Sequence, residues 1–310
     1  MIVRAPGKAI LAGEYAVLHG APAIAVAVDR EVVASEGARN EAADEGESPF
    51  VRAAKSYAAK NGGATLTSVR VDSSALYDGA TKLGLGSSAA VTAAVVGLAL
   101  AKAERTLEPR AVFAVADAAH AEAQGTRGSG VDVACSVFGG AIRFSRKNGE
   151  VDVRSVDLPD GVRLTFIWAG VPASTAELIG RVKALAEREP SRHEAAIGRL
   201  VSHAHAFSSA VTANDPDALI RAADAYGQAM AALGEAADCE IVTRPHTALA
   251  ALARRHGGAA KPSGAGGGDL GVAFTVGNEA TQRLRADARD AGLTVLSLGA
   301  PAPGLRLENA

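Results

Sequence analysis

Lys82–Val91 reads KLGLGSSAAV and runs without a break into an Ala/Val-rich stretch that continues to Glu104. Glycines and serines in succession cannot pack a core, but their small side chains let neighbouring backbone N–H groups converge at the start of a helix. Unpaired amides in a first helical turn, with the positive end of the helix dipole behind them, make an anion site. Loops of this composition also form N–H nests for phosphate. The string is neither GxxxxGK[ST] nor GxGxxG. A helix N-cap made by Ser87 or Ser88 after a flexible turn explains the same ten residues, so the rest of the chain has to decide.

On either side of this loop the pattern alternates between strands and helices. Upstream, Ile2–Ala5, Ala23–Val28 and Glu31–Ser35 read as strands, with a break at Pro6–Gly7 and a turn at Asp29–Arg30. Glu36–Ser48 is acidic and turn-prone and reads as an exposed loop. Ser48–Asn61 has helical spacing, and Thr65–Asp72 alternates as a strand around Leu66, Val69 and Val71. Downstream, Glu108–Gln124 is a second helix with Pro109 in its first turn, ending in the glycine-rich turn GTRGSGVD.

Strands follow at Ala141–Ser145 and Arg163–Trp168, then helices at Ala176–Arg188, Arg192–Ala213, Pro216–Leu233 and Arg244–His256. The chain closes with KPSGAGGGDLG, a strand Val272–Val276, a helix Asn278–Ala291 and a strand Leu293–Leu298. The whole is an α+β chain with a helix-rich second half. A chain of 310 residues favours two domains, and the change of pattern near Asp160 divides it into 1–160 and 161–310.

Composition narrows the function classes. With 48% hydrophobic and 21% charged residues the chain is of ordinary globular type, and a net charge of -2 offers no basic field for a nucleic-acid backbone. Aromatic content of 4% removes the stacking platforms of single-strand binders. Cys135 and Cys239 show no metal or disulfide spacing, so a reducing cytoplasm is expected. The opening MIVRAPGKAIL lacks the features of a signal peptide. The longest apolar run, Ala89–Ala101, falls short of the ~20 residues that span a bilayer, so no membrane role is expected.

Three stretches are too rich in glycine and polar residues to be core: APGKAILAGEYAVL from Ala5, GLGSSAA from Gly84 and KPSGAGGGD from Lys261. In this order they resemble the three signature segments of the GHMP kinase superfamily, and the resemblance covers the chain from Arg4 to Leu298. It implies a GHMP kinase fold: an N-terminal half like domain 2 of ribosomal protein S5, a ferredoxin-like C-terminal half, and ATP and substrate in the cleft between them.

The same resemblance implies a site. Gly84, Leu85, Gly86, Ser87, Ser88 and Ala89 wrap the ATP phosphates, and the Ser88 hydroxyl, with Glu122, faces Mg²⁺. A hard cation of this size is content with few protein oxygens beside phosphate and water. Asp132 closes GSGVD and faces the acceptor, where it accepts or orients a proton while the γ-phosphoryl moves in line. Lys8 sits beside it and steadies the developing charge. Each also has a plain alternative: a surface lysine, and a helix-capping aspartate.

Within the superfamily, KLGLGSSAAV, AGEYAVL, GSGVDVACSVFGG, VPASTAEL and KPSGAGGGDLGVAF look most like the phosphomevalonate kinases. That implies phosphomevalonate as the acceptor, a phosphate ester with a carboxylate. Residues expected around it are Glu14, His19, Ser129, Gly130, Ser174, Thr175, Lys261, Ser263, Gly264, Gly266 and Gly267, with Arg127, Lys82 and Arg143 as further cations. Small hydroxyls at a helix N-terminus, as at Ser174 and Thr175, suit a phosphate or a carboxylate and equally well an N-cap. The other readings are a mevalonate kinase or another small-molecule kinase of the superfamily, and a sensor of the same fold that binds without catalysis. His120, His203, His205 and His246 form no metal spacing and are read as structural.

Overall fold

A computed structural model describes residues 1–37 and 47–308. Most of the acidic 36–48 stretch expected to be an exposed loop lies outside the described residues. The first half comprises β1 (Ile2–Ala12), β2 (Ala23–Glu36), α1 (Pro49–Lys60), β3 (Val69–Asp72), the two-residue strands β4 (Tyr77–Asp78) and β5 (Thr81–Lys82), α2 (Ser87–Lys102), α3 (Pro109–Gln124) and α4 (Val131–Phe138). It ends in the hairpin of β6 (Ala141–Lys147) and β7 (Glu150–Val156). The second half comprises β8 (Val162–Trp168), α5 (Thr175–Arg188), α6 (Pro190–Thr212), α7 (Pro216–Ala237), α8 (Arg244–Arg255), β9 (Ala259–Ser263), β10 (Leu270–Val276), α9 (Asn278–Asp290), β11 (Thr294–Leu296) and β12 (Arg306–Glu308).

The first sheet has the order β12-β1-β2-β6-β7, with β3 also on β2. The second has the order β11-β8-β10-β9, all antiparallel. Counted from β8, that is order 4-1-3-2 with the connectivity of the ferredoxin-like βαββαβ motif, so the second half has the architecture expected of it. The chain changes sheet between β7 and β8, but β12 returns to pair with β1, so the last strand belongs to the first half's sheet.

β1 and β2 differ from the sequence expectation. Pro6–Gly7 does not end the first strand, and Asp29–Arg30 does not split the second. The pairing register jumps from Pro6↔Glu31 to Gly7↔Val28, so Asp29 and Arg30 form a bulge opposite a proline that has no N–H to give the ladder. Gly7 is needed there for another reason. A Cβ on it would lie 2.9 Å from the Leu85 carbonyl oxygen and 2.8 Å from Leu76 Cδ2. That close approach lets the Lys8 N–H donate to Leu85 O at 2.9 Å, which ties the glycine-serine loop to the first strand.

α2 is buried on nearly every side, which its Ala/Val/Gly composition permits. It packs against β1 and β2 on one side and α1 and α3 on the other. Gly97 lets it approach the sheet closely, since a Cβ there would stand 3.1 Å from Val3 Cγ1. Behind the second sheet, Ile167, Leu249, Leu252, Ala253 and Leu284 form a separate small core under α8 and α9. On its other face Phe207 of α6 meets Phe274 of β10 edge-on, ring centroids 5.6 Å apart.

Candidate active site

The loop before α2 is held by two left-handed glycines. Gly84 has φ 75° and Gly86 φ 74°, and both lie against side chains that leave no room for a Cβ. At Gly86 it would stand 2.7 Å from Lys8 Cε, and at Gly84 2.5 Å from Asp269 Cβ. Glycine therefore brings the loop backbone directly onto Lys8 and Asp269. Gly86 is the N-cap of α2 and offers no side chain to its first turn. No cap side chain satisfies those amides, as a phosphate-binding helix start requires.

The two serines differ. Ser87 is buried and its hydroxyl lies 3.4 Å from that of Tyr77, whereas Ser88 is half-buried with Oγ 3.1 Å from His120 Nε2. His120 of α3, read from sequence as structural, thus touches the loop. Phe50 lies against its ring at 5.2 Å, and burial pushes its pKa down against the pull of the Asp132 and Asp117 charges. Glu122 sits two residues on, about 200° round the same helix. It is exposed there, and Tyr57 donates to it at 3.2 Å, so the structure does not bring it to Ser88.

The Gly130–Asp132 turn is braced from α3 and β6. Gly130 has φ 86° and caps α4; a Cβ there would lie 2.4 Å from Asp117 Oδ1. Asp117 in turn pairs with Arg146 at 2.8 Å, both side chains about one-eighth exposed. Ser129 Oγ accepts from the Val131 N–H at 3.3 Å. This places Asp132 in the first turn of α4 with Oδ1 3.3 Å from Lys8 Nζ. Lys8 and Asp132, 124 residues apart in sequence, are brought together across β1 and α4.

Glu14 and Lys261, expected at the cleft surface, form a buried ion pair in which the lysine side chain is 0% and the glutamate 3% exposed. Lys261 Nζ also donates to Pro262 O at 2.6 Å and lies over the Tyr226 ring. Burial pushes the Lys261 pKa down, opposed by the Glu14 charge. Glu14 Oε1 accepts from the Gly264 N–H at 3.3 Å, and Ser263 Oγ accepts from the Ile10 N–H at 2.9 Å. The reason is topological: β9 runs beside β1, so these groups join the two halves of the chain.

Gly266 and Gly267 are left-handed turns where side chains would strike Ile241 and Leu178. The acceptor-side residues spread more widely. Ser174 is the N-cap of α5, accepting from the Glu177 N–H at 3.4 Å, and both it and Thr175 are exposed. His19 is exposed at the turn after β1, its ring 6.0 Å from that of His193 on α6; partial burial, and then the His193 charge, push its pKa down. Arg143 is engaged by Ser208 and Asp152, away from the loop. Sequence reading passed over Asp269. Its carboxyl lies against Gly84, pushed up in pKa by burial while Ala173 N–H, Lys82 and Lys8 pull it down. The signal available was its place at the end of KPSGAGGGD.

A buried lysine, a carboxylate and an uncapped glycine-rich helix start are the parts of a phosphoryl-transfer site. The sequence model described as "GHMP kinases N terminal domain" matches residues 49–140. The chain is 32% identical over 336 aligned positions to a phosphomevalonate kinase from Streptomyces sp. (strain CL190), covering 88% of this chain and 89% of that protein. It is 30% identical to a mevalonate kinase from Archaeoglobus fulgidus over 61% of this chain and 66% of that one. The crystallised Streptococcus pneumoniae phosphomevalonate kinase in complex with phosphomevalonate and AMPPNP superposes with a TM-score of 0.82 at 18% identity, covering 97% of this chain and 99% of that one. The chain belongs to the GHMP kinase family.

Proposed function

We propose that the protein transfers the γ-phosphoryl of ATP to 5-phosphomevalonate, giving ADP and 5-diphosphomevalonate. The observation that carries the reading is the Lys8–Asp132 pair, held against the glycine-rich loop that opens α2. In this reading the loop amides from Leu85 to Ala89 bind the ATP phosphates. A phosphate oxygen of the acceptor attacks the γ-phosphorus, and the bond from that phosphorus to the bridging oxygen of ADP breaks. The acceptor oxygen carries little proton at neutral pH, so Asp132 orients it and balances charge rather than acting as a strong base. Lys8 neutralises charge on the moving group, and positioning with electrostatics supplies most of the rate.

Magnesium fits this site with few protein ligands. Among the described residues no three His, Cys, Asp or Glu side chains come together as a metal cluster. The Ser88 hydroxyl at the loop would supply one oxygen to a Mg²⁺ ion, which keeps several waters and takes its other ligands from phosphate oxygens and a carboxylate. When bound, it would neutralise phosphate charge; Glu122, expected to help hold it, is exposed and accepts from Tyr57. Cys135 and Cys239 are both free, as the reducing cytoplasm of this reading requires, and among the described residues no helix is long and apolar enough to cross a membrane.

The acceptor is chosen over mevalonate because the phosphomevalonate kinase relative aligns over 88% of the chain and the mevalonate kinase relative over 61%. Ser174 and Thr175, at an exposed helix start, are available to a second anion. The deciding experiment is a coupled ADP-release assay with Mg-ATP, offering 5-phosphomevalonate and mevalonate separately at equal concentration. Turnover with the phosphorylated acceptor alone is expected; turnover with mevalonate alone would replace this reading with mevalonate kinase.

A further inference from the structure

Asp269 is neither in the first turn of α2 nor in the Lys8–Asp132 pair, yet it touches both sides of the proposed cleft. Its backbone is left-handed, with φ 50°, at the point where the ladder between β8 and β10 gives way. The Ala169 N–H donates to Asp269 O at 2.7 Å and the Asp269 N–H donates to Val171 O at 2.8 Å. Asp269 Oδ1 accepts from the Ala173 N–H at 3.2 Å. Three hydrogen bonds from one residue thus fix the 169–173 arch, which leads directly into the Ser174 cap of α5. On the opposite side Asp269 Cβ and Oδ2 pack against Gly84, where any larger residue would collide.

We infer that Asp269 is a positioning residue, a strut that sets the acceptor-side start of α5 at a fixed distance from the phosphate loop at Gly84. The inference rests on the proposed reading of Ser174 and Thr175 as acceptor-side groups. It goes beyond that reading by naming what places them. Its physical content is separable from simple folding, because the residue has two features that different substitutions remove. Asp269→Gly keeps the left-handed backbone without steric cost and deletes the carboxylate. Asp269→Asn tolerates the left-handed region and keeps an acceptor oxygen for the Ala173 N–H.

The test combines acceptor kinetics with hydrogen–deuterium exchange of peptides covering 169–175 in the full-length protein. A hydrogen bond to a carboxylate is worth enough that Asp269→Gly should speed exchange in this arch roughly ten-fold and raise the KM for 5-phosphomevalonate by about as much. The KM for ATP should stay within about two-fold, since uniform acceptor binding is what is lost. Asp269→Asn should restore both readouts close to wild type. Unchanged exchange in Asp269→Gly, equal impairment in Asp269→Asn, or a matching rise in the KM for ATP would overturn the strut. Should wild-type protein fail to turn over 5-phosphomevalonate, the substrate reading falls, and the exchange comparison alone upholds or overturns the role of Asp269.

Discussion

Lys8 Nζ stands 3.3 Å from Asp132 Oδ1, with the lysine side chain 7% exposed and the aspartate 41%. The asymmetry has a consequence for chemistry. Lys8 is walled in by β1 and by Gly86, so its charge stays in place, while Asp132 is exposed and, in the proposed reaction, open to the acceptor. Asp132→Asn and Lys8→Ala are each expected to lower kcat by about 100-fold or more, the scale of losing a positioned charge in the transition state. Nucleotide affinity, measured by calorimetry, should change little, because the loop amides remain. Near-normal turnover in either variant would remove that residue from the mechanism.

Gly86→Ala should act on the same lysine from the other side. Its left-handed backbone costs about 1–2 kcal/mol for an L side chain, and the new methyl would press on Lys8 Cε at 2.7 Å. The expected result is at least a ten-fold fall in kcat/KM for ATP, roughly 1.4 kcal/mol. Gly198→Ala in α6 is the contrasting case: nothing lies within 4 Å of the added methyl. It should stabilise the protein by about 0.5–1 kcal/mol in urea unfolding with turnover unchanged. A loss of stability there would contradict the description of α6 as unobstructed at that point.

Much of this arrangement was legible in the sequence because glycine strings and apolar periods are local signals. The long helices α5 to α8 were visible within a few residues of their ends, since each has a cap or a proline in its first turn. The elements that the sequence pattern did not reveal include β7, β9 and β12. β7 was announced by Asn148-Gly149, both with positive φ in the hairpin turn, but its polar alternation looked like surface. β9 runs from Ala259 into the first three residues of KPSGAGGGD, whose glycines and polar residues mask a buried five-residue strand. β12 pairs with β1 across more than 300 positions, and no local pattern carries such a partner.

The site divided along the same line. Lys8, Ser88 and Asp132 lie in strings of distinctive composition. The burial of Glu14 with Lys261 and the contact of His120 with Ser88 depend on which strand or helix lies alongside, and a single sequence does not state that.

The Glu14–Lys261 pair yields a stability prediction of its own. With both side chains nearly inaccessible, Lys261→Met would leave a buried carboxylate without its cation. Removing one partner of such a pair typically costs about 3–5 kcal/mol, whereas replacing both with apolar side chains is often far milder. Urea unfolding of Lys261→Met, Glu14→Leu and the double variant would form a cycle, with the double variant expected to be more stable than either single one. Additive losses would mean that the two side chains do not depend on each other.

His246 makes the fold sensitive to acid. It occupies the third position of α8, where its Nδ1 accepts from the Thr243 N–H at 3.2 Å and lies 2.9 Å from Thr243 Oγ1. That bond needs the ring nitrogen unprotonated, and burial pushes the His246 pKa down from 6.5 to about 4. Between those values the unfolded chain binds a proton that the folded chain refuses, so stability rises with pH through the window. The contribution is fully present above about pH 6.5 and is lost as pH falls toward 4, a total on the order of 3 kcal/mol. His246→Gln keeps a side chain able to complete the cap but does not titrate. Comparing wild type and this variant in urea at pH 7.5 and pH 4.5 cancels the carboxylates common to both. The wild type should lose about 2–3 kcal/mol more than the variant on acidification, and parallel losses would show that His246 is already protonated in the folded protein or titrates as it does in the unfolded chain.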